Sequence, residues 1–240
     1  VGAGLVGDPG AGVSQQFHLP GIHVDAMDQD ALRTEYARVV QPLDNAHTAL
    51  AQAVLLVGHS FGGHAFGLLP NRDAIHAVYT FGTGAGWHGW MPKGERRKVQ
   101  FMWNLVLPLI VAIKGYQAWN WLGLGEDLPK GVYRDWKHWC RYPRYFFEDP
   151  KMAWLNEHFA SVRTPIVGAV SLDDLWAGPE SRDAFMSAFS GAAYQPRDID
   201  PKALGLKPLG HMGYFRPYAE PLWRDALDWF ASQPQAAAAA

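Results

Sequence analysis

The chain has 240 residues, of which 48% are hydrophobic and 18% charged, so it holds enough apolar surface for a core, which excludes a disordered protein. A formal net charge of -2 and a pI near 6.6 exclude a phosphate backbone as the main partner, because nucleic-acid binding needs a dominant basic field. The single cysteine, Cys140, excludes an intrachain disulfide, a structural zinc site and a redox pair.

At the N-terminus no basic region is followed by an apolar run, so no secretion signal is expected, and with one thiol the expected setting is the reducing cytoplasm. Gly2-Ala3-Gly4-Leu5-Val6-Gly7 matches a dinucleotide fingerprint in form only. No strand can precede Gly2, and without one nothing aims a phosphate at a helix N-terminus, so no cofactor is expected. His23, Asp25, Asp28 and Asp30 could ligate a metal but read more simply as a solvated helix start, and no metal is expected. Gln29 to Val40 reads as that helix.

Gln52 to Gly58 is an aliphatic run without polar alternation, the pattern of a strand buried on both faces of a parallel sheet. A helix over Ser60 to Leu69 follows, stopped by Pro70. Ala74 to Phe81 and Pro165 to Leu172 read as further strands, and Pro179 to Phe189 and Pro217 to Phe230 as helices. Alternation of this kind predicts an α/β fold, with a mostly parallel sheet flanked by helices. The core is expected over residues 1–83 and 161–240.

Between them, residues 84–160 show helical periodicity and hold eight of the eleven tryptophans, and they are expected to form an inserted helical cap. Gly82-Thr83-Gly84-Ala85-Gly86 would let the chain leave the sheet for it. The segment has eleven Lys or Arg against seven Asp or Glu. Its longest apolar stretch, Phe101 to Ile113, is too short to span a bilayer and contains Pro108; peripheral contact with lipid stays open. Cys140 lies in an aromatic and basic stretch and is expected to be a small buried hydrophobe.

Gly58-His59-Ser60-Phe61-Gly62 carries the chemistry. It is a G-x-S-x-G pentapeptide placed where a buried strand gives way to a helix, and small residues two before and two after the serine allow the sharp turn. Ser60 is therefore the expected nucleophile, and the backbone N–H of Phe61 an oxyanion donor. A serine hydroxyl needs a base, and the base an orienting carboxylate. Asp173 and Asp174 follow the strand that ends at Leu172. His211, in Leu209-Gly210-His211-Met212-Gly213, lies in a glycine-flanked loop before the final helix and is the expected base. His59 and His64 are expected to pack or face solvent.

From Val57 onward, these motifs resemble those of a group of bacterial α/β-hydrolases. The resemblance rests on the serine motif with Gly63, on Leu122 to Pro129 with Arg134-Asp135-Trp136 and Trp139-Cys140, on Asp173-Asp174-Leu175-Trp176-Ala177, and on Gly210-His211-Met212-Gly213-Tyr214-Phe215-Arg216. It implies an α/β-hydrolase fold and a Ser60, Asp174, His211 triad under a helical cap, with Asp174 preferred over Asp173 because its setting before Leu175-Trp176 and Pro179 is similar to the acid loop of many such hydrolases. Trp176 is a candidate substrate contact. Gly12-Val13-Ser14-Gln15-Gln16-Phe17 is similar to the family's oxyanion loop, which implies Gly12 or Val13 as second oxyanion donor, while the N-terminal part reads as shortened.

The expected substrate is a lipophilic ester or thioester held under tryptophans, the basic balance of the segment suiting an anionic acyl donor. An acyltransferase or perhydrolase on the same triad, and a non-catalytic scaffold binding a ligand or partner, remain the alternatives. The oligomeric state is left open.

Overall fold

A computed structural model describes residues 3–6, 53–122 and 127–233. Among these residues a five-stranded sheet runs in the order β1 (Ala3–Val6), β2 (Val54–His59), β3 (Ile75–Phe81), β4 (Ile166–Ser171), β5 (Tyr194–Ile199). β2 to β5 are parallel and β1 pairs antiparallel with β2, so the sheet is mostly parallel. Ala3 to Val6 of the glycine-rich start form β1. The expected helix at 29–40, the cluster at 23–30 and the oxyanion candidates Gly12 and Val13 lie outside the described residues.

Alternate residues of each central strand feed opposite faces, as the period of two requires. On one face Leu56, Val78 and Ile166 meet Phe66 of α1 (Phe61–Phe66), Phe159 of α5 (Trp154–Ala160) and Phe185 of α6 (Pro179–Met186). On the other, Ala77, Tyr79 and Val167 meet Leu222, Ala226 and Phe230 of α7 (Glu220–Ala231). Both faces are covered, which accounts for the mainly apolar sequences of β3 and β4. The result is an α/β fold with helices on either side of the sheet.

β5 was not expected. Its sequence Tyr194 to Ile199 carries Pro196, Arg197 and Asp198, which suit only the sheet's edge, where a missing N–H is tolerated and charge faces solvent. Arg197 and Tyr79 both donate to Asp225, at 2.7 Å each, which ties this edge to α7.

Residues 84–160 carry the remaining long helices: α2 (Lys93–Phe101), α3 (Leu107–Lys114), α4 (Lys130–Trp139) and α5. A wide π-turn over Met102–Val106 joins α2 to α3 just ahead of Pro108, whose missing N–H suits a helix's first positions. Gly115, at φ 80°, ends α3 and donates its N–H to the Val111 carbonyl.

Candidate active site

β2 ends at His59, α1 begins at Phe61, and Ser60 between them has φ 52° and ψ -118°. A serine held there is strained and persists only where its surroundings enforce it. The enforcement is legible in the glycines. A Cβ at Gly58 would lie 2.8 Å from the Gly63 backbone nitrogen, and one at Gly63 would lie 2.2 Å from Thr83 Oγ1. Strand and helix can approach this closely only without those side chains. The Ser60 N–H donates to the Phe81 carbonyl at 2.9 Å, and Thr83 Oγ donates to the Ser60 carbonyl at 3.0 Å, fixing the turn from the neighbouring strand.

Three side chains converge, Ser60 from the end of β2, Asp174 from just after β4 and His211 from the loop between β5 and α7. His211 Nε2 lies 3.0 Å from Ser60 Oγ, and His211 Nδ1 lies 2.9 Å from Asp174 Oδ2. With the proton on Nδ1 directed to the carboxylate, Nε2 is left to accept from the serine. Asp174 follows β4, is buried, and also receives the Tyr214 hydroxyl at 3.0 Å and the amides of Trp176 and Ala177 at 2.9 and 3.0 Å. Burial alone would raise its pKa. The hydrogen bond and charge of His211, with the two amides, outweigh burial and hold the carboxyl below its ordinary value.

Asp173 does a different task. It accepts the amides of Leu209 and Gly210, both at 2.9 Å, and the Ser171 hydroxyl at 2.6 Å, so it pins the loop that presents His211. The adjacent aspartates thus divide the work: one faces the imidazole and the other holds the backbone behind it.

Two further residues were missed in the sequence. His59, expected to pack or face solvent, is buried and its Nε2 donates to the His211 carbonyl at 2.8 Å. Burial first, and the neighbouring His211 second, lower its pKa to about 4 and keep it neutral. Tyr214 accepts the Ser171 amide at 2.9 Å while donating to Asp174; burial and then the Asp174 charge push its pKa well up, so it stays a donor. Both partners are tertiary, and only the nearness of these residues to Ser60 and His211 in the chain could have hinted at them. Gly82, at φ 58°, lets the chain turn beside them: a Cβ there would lie 3.0 Å from the Tyr214 ring and 3.3 Å from Asp174 Oδ2.

Among the described residues no acceptor takes the Phe61 N–H, as expected for the first amide of a helix. The Trp176 ring lies 5.4 Å from that of His211, and its Nε1 donates to Glu95 of α2 at 2.9 Å. His64 is buried against Phe185 with Nε2 2.9 Å from the Gly84 carbonyl, and burial lowers its pKa to about 4. Cys140 is carried up to about 12 by burial, which leaves it no thiolate at neutral pH.

Several tryptophans of residues 84–160 pack into core clusters. Trp90, Trp136 and Trp139 pack on one core cluster, and Trp103 and Trp119 on a small cluster around Leu107 and Tyr133. Two cavities, of about 380 and 360 Å³, flank α3, and neither borders Ser60, Asp174 or His211. Trp residues at helical spacing serve core and cavity equally well, so the sequence could not separate the two.

The class that this sheet and site define is an α/β protein with a serine at a strand-to-helix elbow, followed in chain order by an acid and a histidine within hydrogen-bond reach, as in α/β-hydrolases. No family model matches the chain, and no curated protein does. Among solved structures it is similar to the monoacylglycerol lipase of Paleococcus ferrophilus, at 12% identity over 85% of this chain and 75% of that one, TM-score 0.43. It is similar also to Est816, an N-acyl homoserine lactone degrading enzyme, at 16% identity over 82% and 72%, TM-score 0.42. The acylaminoacyl peptidase of Pyrococcus horikoshii matches at 13% identity over 88% of this chain but 28% of its own, TM-score 0.42. Identities and scores this low decide neither fold nor chemistry, which stand on the strand order and the side chains described above.

Proposed function

We propose that the protein is a serine hydrolase that cleaves a lipophilic carboxylic ester or thioester through an acyl-enzyme on Ser60. The observation that carries this reading is the continuous relay from Ser60 to His211 to Asp174, at 3.0 and 2.9 Å, on a serine in a strained turn. Each contact is within general-base reach before any substrate binds.

In this reading Ser60 Oγ attacks the acyl carbonyl as His211 Nε2 takes its proton. Asp174 holds the imidazole tautomer and offsets the imidazolium charge, while the Phe61 N–H meets the oxyanion. Collapse expels the alcohol or thiol with the proton returned by His211. Water, activated by the same nitrogen, then releases the acid and restores the serine. Leu175, Trp176, Met212 and Phe215, exposed next to Asp174 and His211 in the chain, give the rim an apolar character that favours a lipophilic acyl group. The helical segment 84–160 serves as the cap, joined to the acid loop by the Glu95 to Trp176 hydrogen bond.

The test is hydrolysis of p-nitrophenyl esters of graded chain length by the wild type and by Ser60→Ala, with fluorophosphonate labelling alongside. Activity and labelling that vanish together in Ser60→Ala support the reading. A folded wild type that neither turns over any ester nor takes the label sinks it.

A further inference from the structure

We propose that the face built from α2, α3 and α4 docks on an anionic lipid surface. This rests on neither the serine chemistry nor the comparisons.

Phe101, Leu105, Leu109 and Ile113 recur every four residues, so they share one side of the α2 to α3 rod. They are exposed by 59, 48, 55 and 80%, an inversion of the usual preference for such side chains. Trp121, also exposed, closes the end of the row, with Lys114 Nζ 5.6 Å from its ring centre. An apolar groove of about 360 Å³ runs along this side. No charged residue occurs from Val99 to Ile113, cations bracket that stretch at Arg96, Arg97, Lys98 and Lys114, and no carboxylate occurs between Glu95 and Glu126.

The other flank of α3 is cationic. Lys130, Arg134, Lys137 and Arg141 fall at intervals of four, three and four, one face of α4 and its C-terminal turn, and line a second groove of about 380 Å³ with Pro108 and Val111. Lys137 is engaged, its ammonium donating to the Trp103 carbonyl. Lys130, Arg134 and Arg141 enter none of the ion pairs among the described residues.

An apolar row with an aromatic terminus, flanked by a row of cations of which Lys130, Arg134 and Arg141 enter no ion pair among the described residues, fits an interface in which acyl chains meet anionic headgroups. A second copy of the chain would bring its own cations against these, and like charges repel. A lipid surface supplies both the apolar depth and the negative charge.

The experiment is co-sedimentation of the full chain with vesicles of phosphatidylcholine alone and of phosphatidylcholine with phosphatidylglycerol, at low and high salt. The wild type is expected to bind the anionic vesicles, to bind the neutral ones at least about tenfold more weakly, and to lose affinity as salt rises. Leu109→Ser with Ile113→Ser should lower partitioning about tenfold or more, and Lys130→Gln, Arg134→Gln and Arg141→Gln together should abolish the preference for phosphatidylglycerol. Because the two sets are separate, misfolding of one leaves the other as a test. Absence of wild-type binding, equal binding to both vesicles, or binding indifferent to both variants overturns the proposal. Sedimentation equilibrium showing a dimer that Leu109→Ser with Ile113→Ser dissociates, without vesicle binding, overturns it in favour of a second copy.

Discussion

At the carboxyl end of the sheet Asp173 receives three donors and Asp174 four, whereas along α2 and α3 four large apolar side chains stand in solvent. The first region fixes a geometry: a strained serine, an imidazole and a buried carboxylate keep their places because backbone amides, a tyrosine and a second aspartate surround them. The second presents a surface. Where hydrogen bonds converge, function resides in a distance. Where apolar groups stay uncovered, it resides in what will cover them.

The largest effect should come from Asp174→Asn. The exchange keeps the shape but removes the acceptor facing His211 Nδ1, so kcat on an ester should fall by about 10⁴-fold while the protein loses only about 1 to 3 kcal/mol of stability. Equal loss of rate and stability would mean that Asp174 is a core residue with no chemical part. Next in size is Leu107→Ala, at the one fully buried leucine of α3, expected to destabilise by about 2 to 5 kcal/mol in urea unfolding.

Acid should then separate the regions. His59 and His64 bind a proton in the unfolded chain near pH 6.5 but in the folded protein only at about 4. Between those values the unfolded state holds more protons. Stability is therefore complete above pH 6.5 and falls as the pH drops toward 4, by on the order of 3 kcal/mol for each histidine. Urea midpoints measured from pH 7 to 4.5 should follow that slope, and a flat profile would mean that neither ring is held neutral by the fold.

Much of this was legible in the chain. The strands β2, β3 and β4 were legible as short apolar-rich segments, and the elbow from Gly58, Ser60, Gly62 and Gly63, because close approach of strand and helix leaves a local trace. Ser60, Asp174 and His211, named in advance, are brought together by the fold. What escaped depends on partners far apart in sequence: Asp173 reaches the Leu209 and Gly210 amides, and His59 the His211 carbonyl. β5 escaped because edge strands accept proline and charge.

Asp173→Ala sharpens the contrast between the two aspartates. Two amides and a hydroxyl lose their acceptor, so the protein should lose about 1 to 3 kcal/mol. The rate should drop about tenfold, through a displaced His211 and not through a lost charge. Comparing kcat with urea stability for this variant and for Asp174→Asn checks the division of labour. If the two variants behave alike, the aspartates form one unit.

The smallest effect is expected from Leu109→Ala, two positions from Leu107 on the same helix. Leu109 is 55% exposed, so truncation removes surface already in water and leaves no cavity, and urea stability should stay within about 0.5 kcal/mol of the wild type. Set against the loss for Leu107→Ala, this near-zero value measures which side of α3 the fold uses. A loss of about 2 kcal/mol at Leu109 would mean that the row is covered in the folded chain. In that case α3 would be a core helix on both sides, and the uncovered surface would have to be sought elsewhere.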